Sequence, residues 1–140
     1  MKKLLYITLF ALVTFIGCKP EEKPITLEQK LCNEWRGNKI AGDAAVYISF
    51  MADGTFELYQ KMEGEFELRR GTWTLTDDIL SGKYNDDETW AAAYTVSVDD
   101  TKLTMVSRNE GAETSVYVRC TIPSIIKDGS TVVVKSRSSL

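Results

Sequence analysis

Short runs of alternating apolar and polar residues, separated by turn residues, constrain the fold of this chain more than any other feature. From Leu31 to Ile122 no stretch keeps a helical period, whereas apolar residues recur at every second position in runs of about six to nine residues. The clearest run places Trp90, Ala92, Tyr94, Val96 and Val98 on one face. Such alternation is typical of strands that bury one face, so the chain is predicted to be all-β.

Turn residues divide this region into eight predicted strands. The first is expected from Trp35 to Ile40, and Pro123 ends the last, whose apolar positions are Val116, Val118, Cys120 and Ile122. Between Leu68 and Trp73 the apolar positions change phase beside Gly71, which predicts a β-bulge. The turns are expected at Ala52-Asp53-Gly54, Glu63-Gly64-Glu65, Thr76-Asp77-Asp78, Asn85-Asp86-Asp87-Glu88, Asp99-Asp100 and Asn109-Glu110-Gly111.

Closure of the sheet is the next inference. Eight antiparallel strands with one apolar face would leave two open edges unless the first strand pairs with the eighth. We therefore expect an eight-stranded antiparallel up-and-down barrel. Thr26 and Gln29 have the spacing of a capping box, which predicts a short helical turn before the barrel. Thr131 to Lys135 is expected to form a tail strand or to fray.

The N-terminus has the pattern of an export signal. Lys2 and Lys3 precede the uncharged, mostly apolar run from Leu4 to Ile16, and a helix of that length rises only about 20 Å, short of the roughly 30 Å hydrocarbon core. Phe15-Ile16-Gly17-Cys18 resembles the lipobox of bacterial lipoproteins, in which the cysteine is acylated. The expected organisation is a signal peptide at 1–17, a lipidated tether at 18–26 and a domain at 27–140.

The charge balance narrows the possible partners. Without residues 1–17 the chain has 15 basic and 20 acidic residues, so nucleic acid and anionic membrane surfaces are not expected partners. The remaining 123 residues suffice for one domain. Membrane attachment is therefore expected through the N-terminal lipid only.

Two cysteines remain after Cys18 is assigned to lipid. Cys32 and Cys120 lie beside the first strand and on the last, which barrel closure brings together. An exported protein enters an oxidising compartment, so a disulfide between them is expected, with two buried free thiols as the alternative.

Several short motifs carry a family resemblance. They are Leu31-Cys32-Asn33-Glu34-Trp35, the segment from Phe50 to Phe56, Gly71-Thr72-Trp73 and Leu103-Thr104-Met105. Over about residues 27–122 the chain resembles the lipocalin-like lipoproteins of Bacteroidetes. The resemblance implies a small-ligand barrel anchored to the outer membrane, on its periplasmic or surface face. It also implies that Arg119 stacks over Trp35 at the closed end of the barrel.

Catalytic chemistry has little support in the sequence. The chain has no histidine, which excludes Ser-His-Asp and Cys-His catalysis and histidine-ligated zinc. Glu65 and Glu67 point away from the predicted apolar face, as expected of a solvated surface rather than a glycosidase pair. The acidic turns match no calcium loop that we can name. We therefore expect no enzyme activity, no cofactor and no metal site.

The candidate ligand site is the predicted inner face. Arg70 shares the parity of Phe66 and Leu68, so it is expected at the mouth as an anchor for an acidic head group, unless the bulge turns it to solvent. An eight-stranded barrel either holds one small ligand or is filled by side chains. The candidate ligand-binding residues are Phe50, Phe56, Arg70, Trp90, Tyr94 and Met105.

Two functions follow from these alternatives. The first is a lipid-anchored envelope protein that binds a small apolar or amphiphilic molecule in an open barrel. The second is an envelope interaction module, or an inhibitor of a hydrolase, with a filled barrel and an exposed apolar patch near the tail.

Overall fold

Eight antiparallel strands close into a barrel in the computed structural model, which describes residues 23–38 and 44–133. A short helix precedes the barrel, and a second helix and a ninth strand follow it. The predicted signal peptide, Cys18, Ile40, Val134 and Lys135 lie outside the described residues. The elements are α1 (Leu27–Leu31), β1 (Glu34–Gly37), β2 (Ala45–Phe50), β3 (Thr55–Lys61), β4 (Glu67–Thr76), β5 (Ile79–Tyr84), β6 (Tyr94–Val98), β7 (Lys102–Ser107), β8 (Thr114–Arg119), α2 (Ser124–Gly129) and β9 (Thr131–Val132).

The barrel closes between β1 and β8, as the alternation predicted. Trp35 lies opposite Arg119, and Gly37 lies opposite Tyr117 in an antiparallel pair. Every other neighbouring pair of β1–β8 is also antiparallel, and each strand pairs with the next along the chain. The all-β, lipocalin-like barrel is confirmed.

Helix α1 covers one end of the barrel. Its capping box is formed, because Thr26 Oγ1 accepts from the Gln29 amide at 3.2 Å and the Thr26 amide donates to Gln29 Oε1 at 3.0 Å. Leu31 is fully buried, and Trp35 Nε1 donates to the Leu31 carbonyl at 3.0 Å. We call this the closed end. The opposite end, which carries the β3–β4 turn, the loop at 85–93 and the β7–β8 turn, is the open end.

The interior below the open end is filled by side chains. Buried aromatic and aliphatic residues from all eight strands form one cluster. Phe56 makes edge contacts with Tyr84 and Trp90, at ring-centroid distances of 5.8 and 5.2 Å, and Phe50 makes one with Trp73 at 5.7 Å. The open barrel expected for a ligand at its centre is therefore replaced by a packed core.

The predicted bulge beside Gly71 is wrong. Strand β4 keeps an unbroken register with both β3 and β5. The apolar phase changes because Leu68 lies on the outer face of the barrel, whereas Trp73 lies on the inner face. Both faces of this strand are apolar along part of its length, and alternation cannot mark which one is inside.

A second apolar cluster, on the outside of β2–β4, explains this pattern. Tyr59, Leu68 and Ile122 are buried there, with Ile126 of α2 packed against them. The sequence did not predict α2. Lys127 of α2 forms an ion pair with Glu34, and β9 pairs in parallel with Glu67 and Leu68 of β4. The C-terminal segment thus covers an apolar part of the outer surface.

Strand β8 also has the opposite phase to the one expected. Tyr117 pairs with Leu103 on the inner face, whereas Cys120 and Ile122 belong with the outer cluster. Strand β6 begins at Tyr94 rather than at Trp90. Trp90 belongs to the loop before β6, and its side chain is buried.

The expected disulfide is absent, because Cys32 and Cys120 are free thiols. Cys32 packs against the inner cluster and Cys120 against the outer one. Burial raises the pKa of both thiols; Glu28 and Asp53 add to this at Cys32, and Glu34 adds to it at Cys120. Closure brings their strands together but places the two side chains in different clusters.

Candidate functional site

The open end of the barrel contains a pocket of about 360 Å³ between β6, β7, β8 and the β7–β8 turn. We call it the mouth pocket. Ala91 and Ala92 of its lining come from the loop before β6, and the residues at 109–111 come from the β7–β8 turn. Polar side chains of its lining include Tyr94, Ser107, Glu110, Glu113, Ser115 and Tyr117.

Two tyrosines from the inner face line this pocket. Tyr94 pairs with Ser107, and Tyr117 pairs with Leu103, which places both side chains toward the barrel interior. Burial, and then Tyr94 and Tyr84, raise the pKa of Tyr117 to about 12. Burial and then Glu113 raise the pKa of Tyr94. Tyr94 therefore lies near the Glu113 carboxylate, and Tyr117 lies near the phenols of Tyr94 and Tyr84.

Hydrogen bonds fix the backbone of Glu113. The Glu113 amide donates to Ser107 Oγ at 2.8 Å, and the Ser107 amide donates to the Glu113 carbonyl at 2.9 Å. Gly111, at φ +75°, supplies the left-handed residue that this turn requires. Because Ser107 is buried at the end of β7, the turn holds Glu113 at the rim of the mouth pocket.

Arg70 does not lie at the mouth, which corrects its expected role as an anchor. It is on the outer face, where Arg70 Nε lies 3.2 Å from Glu57 Oε2 of the neighbouring strand. The inward arginine is Arg69, which is only 5% exposed and lies 3.3 Å from Glu67 Oε2. Arg69 shares the parity of Trp73, a signal in the sequence from which its inward position could have been inferred.

The other predicted ligand residues are divided between the core and two surface depressions. Phe50, Phe56 and Met105 are buried in the packed interior. Tyr94 lines the mouth pocket. Trp90 lines a separate groove of about 360 Å³ on the barrel flank, beside the outward hydroxyls of β4 and β5.

Sequence reasoning missed three residues of the open end, Tyr84, Glu113 and Tyr117. A third depression, of about 700 Å³, shares Ser115 and Tyr117 with the mouth pocket. Tyr117 is surrounded in the sequence by Val116 and Val118, whose apolar character obscured its phase. Tyr117 lies two positions before Arg119 and therefore shares its face of the strand. Because Arg119 was expected to stack over Trp35, this spacing was the available signal for an inward Tyr117.

Trp35 and Arg119, the expected pair at the closed end, lie directly opposite one another. The Arg119 side chain is exposed, and its Nη2 donates to Asn33 Oδ1 at 2.8 Å. The structure therefore gives Arg119 a hydrogen-bonded partner beside Trp35. This bond ties the end of β8 to the segment that leads from α1 into β1.

Within residues 23–38 and 44–133, no three acidic or cysteine side chains are grouped as metal ligands would be. Over the same residues, none of the helices has the length and apolar character needed to cross a bilayer.

No curated protein and no solved structure matches the chain significantly. A family model described as a lipocalin-like domain matches residues 31–105, more than half of the chain, from the end of α1 through Met105 of β7. This match agrees with the closed antiparallel barrel and its helix-covered end. The chain therefore belongs to the lipocalin-like domain family.

Proposed function

We propose that this protein is a lipid-anchored protein of the cell envelope that binds a small amphiphilic ligand, without catalysis, in the mouth pocket. The observation that carries the proposal is the pocket itself, which combines about 360 Å³ of space with two inward tyrosine rings and several hydroxyls. A concave site with convergent polar groups that orient the ligand is typical of small-molecule binding. The lipocalin-like fold supports the same class of function.

The packed core limits where a ligand can lie. Phe56 contacts both Tyr84 and Trp90 beneath the open end, so a ligand at the barrel centre would have to displace these packed rings. The ligand is therefore held at the mouth, with its apolar part against the rings of Tyr94 and Tyr117. Its polar group then faces the rim.

Native mass spectrometry of the full-length protein, purified in detergent from its own host, tests the binding proposal. We expect a co-purified small mass that is lost in Ser115→Trp, because an indole at this position fills the mouth pocket. Ser97→Trp is the matched control, since Ser97 is exposed on β6 and lies outside this pocket. Protein without any bound mass, or retention of the mass in Ser115→Trp, would contradict the proposal.

The lipid anchor is proposed from Cys18 and the residues before it. Acylation of this cysteine would place the domain at a membrane through a short charged tether. Growth with an alkyne fatty acid should label the wild-type protein and leave Cys18→Ala unlabelled. The Cys18→Ala protein should also be absent from the membrane fraction. Labelling that persists in Cys18→Ala would contradict this assignment.

A second candidate function is an interaction module that uses the outer surface. Ile125 of α2 is 81% exposed, and Val132 of β9 and Met62 of the β3–β4 turn are also exposed, while the core is filled. A photocrosslinking residue at Ile125 should then capture one defined envelope protein, whereas the same residue at Ser97 should not. Equal or absent crosslinking at both positions would leave only the ligand-binding function.

A further inference from the structure

Among residues 23–38 and 44–133, the lining of the mouth pocket has an acidic rim and no basic residue. Glu110 and Glu113 are its charged residues. The nearest arginine in sequence, Arg108, directs its guanidinium to Thr95 Oγ1 at 3.0 Å, and Thr95 lies on the outer face of β6. Lys102 lines the neighbouring depression rather than this one. A bound group at the rim therefore meets negative charge.

The Tyr117 hydroxyl is a second and independent feature. Tyr117 is only 7% exposed, lines the pocket and makes no hydrogen bond to another described residue through its hydroxyl. A phenol oxygen can accept a hydrogen bond from a ligand, and the faces of phenol rings attract cations. A ligand with N–H donors and a positive charge therefore complements both Tyr117 and the acidic rim.

Carboxylate-bearing ligands fit this pocket poorly. A carboxylate at the rim would lie beside Glu110 and Glu113, whose negative charges repel it, even where a tyrosine or serine hydroxyl donates to it. Burial of such a charge without a cationic partner is unfavourable. The acidic head group expected from the sequence depended on Arg70, which faces the opposite side of the sheet wall.

We infer that the mouth pocket selects ligands that carry a cationic amine, with Glu113 as the principal counter-ion and Tyr117 as a hydrogen-bond acceptor. This inference rests on the proposed ligand-binding function and names its ligand class. Glu113 has the principal role for two reasons. Ser107 fixes the backbone of Glu113, and the Glu113 carboxylate lies near enough to Tyr94 of the pocket lining to raise the pKa of that phenol. Glu110 lies nearer the tip of the same turn.

Calorimetric titration with three small probes tests this inference on the full-length protein in detergent. The probes are 2-phenylethylamine, 2-phenylethanol and 3-phenylpropanoate, which share a phenylethyl body and differ in the head group. We expect the amine to bind at least about tenfold more tightly than the alcohol, and the carboxylate to bind most weakly.

Isosteric variants identify the counter-ion. Glu113→Gln should weaken amine binding about tenfold and leave binding of the alcohol unchanged, because only the charge is removed. Glu63→Gln is the matched control, since this exposed carboxylate lies on the β3–β4 turn and outside the pocket. Tyr117→Phe should weaken amine binding by a smaller factor, through loss of the acceptor.

The outcomes separate this inference from the proposed function. Equal or tighter binding of the alcohol or carboxylate overturns the amine selectivity while ligand binding stands. Amine binding that is unchanged in Glu113→Gln overturns the role of that residue. Failure of all three probes to bind overturns the amine inference, whereas a co-purified mass that Ser115→Trp abolishes would still support the proposed function.

Discussion

The indole of Trp90 occupies the space where any residue other than glycine at position 82 would carry its Cβ. A Cβ built on Gly82 would lie 2.4 Å from Cε2 and 2.6 Å from Cζ2 of Trp90. The same indole contacts Phe56 and Tyr94. Gly82 therefore allows the loop before β6 to bury its tryptophan against β5, although the strand pairing of β6 begins only at Tyr94.

Gly82→Ala should destabilise the barrel, because the added methyl must displace a buried ring. We expect the free energy of unfolding to fall by about 1–3 kcal/mol, measured by urea denaturation. Gly129→Ala is the control, since a Cβ at that position meets no atom within 4 Å. Equal stability of the two variants would show that Trp90 is not held against Gly82.

The neighbouring arginines should differ in their effect on stability. Arg69→Ala removes a buried side chain opposite Leu58, and we expect a loss of about 2 kcal/mol or more. Arg70→Ala removes a half-exposed surface ion pair with Glu57, and we expect a loss below about 1 kcal/mol. Denaturant titration of both variants compares them directly, and a larger effect of Arg70→Ala would reverse the assigned orientation of β4.

Cys32 and Cys120 should be recovered as thiols. Protein denatured without reductant and treated with iodoacetamide should carry one modification on each of the two cysteine-containing peptides, read by peptide mass spectrometry. In the native protein at neutral pH the same reaction should be slow, because burial raises both thiol pKa values and lowers the thiolate fraction. Recovery of the two peptides joined by a disulfide would contradict this result.

Stability should fall at alkaline pH through Tyr59 and Tyr117. The pKa of each is raised to about 12, at Tyr59 by burial and by Glu57, so the folded state holds these protons more tightly than the unfolded state does. The resulting stabilisation is complete below about pH 10 and is lost as the pH rises toward 12. We expect Tyr117 to contribute about 2–3 kcal/mol of this loss.

Denaturation of the wild type, Tyr117→Phe and the double variant Tyr59→Phe/Tyr117→Phe between pH 9 and pH 12 measures this effect. The decline should become shallower with each substitution, because phenylalanine has no proton to release. A decline of the same slope in all three proteins would assign the alkaline loss to other groups.

Much of the fold could be predicted from local pattern. The predicted turn at Ala52-Asp53-Gly54 joins β2 to β3 in a hairpin whose register pairs Phe50 with Phe56. The spacing of Thr26 and Gln29 identified α1. Closure between β1 and β8 followed from the number of strands and the cost of open edges.

The candidate site was predicted less well, because period-two alternation defines two faces without stating which is inside. Where both faces carry apolar residues, as at Leu68 and Trp73, the choice depends on what covers the outside. Helix α2 packs Ile126 over that outer cluster, and no local signal at β4 or β8 reports this contact. The inward positions of Arg69 and Tyr117 were missed for this reason.

The sequence by itself determined the β-strand content, the capped helix and the closure of the barrel, because these depend on residues near one another or on the pairing of strand ends. Only the tertiary structure decided that the core is filled, that Cys32 and Cys120 lie in different clusters, and that Tyr94, Glu113 and Tyr117 meet at the mouth. Each of these depends on packing between distant segments, and side-chain packing is set by the three-dimensional arrangement of neighbours rather than by sequence spacing.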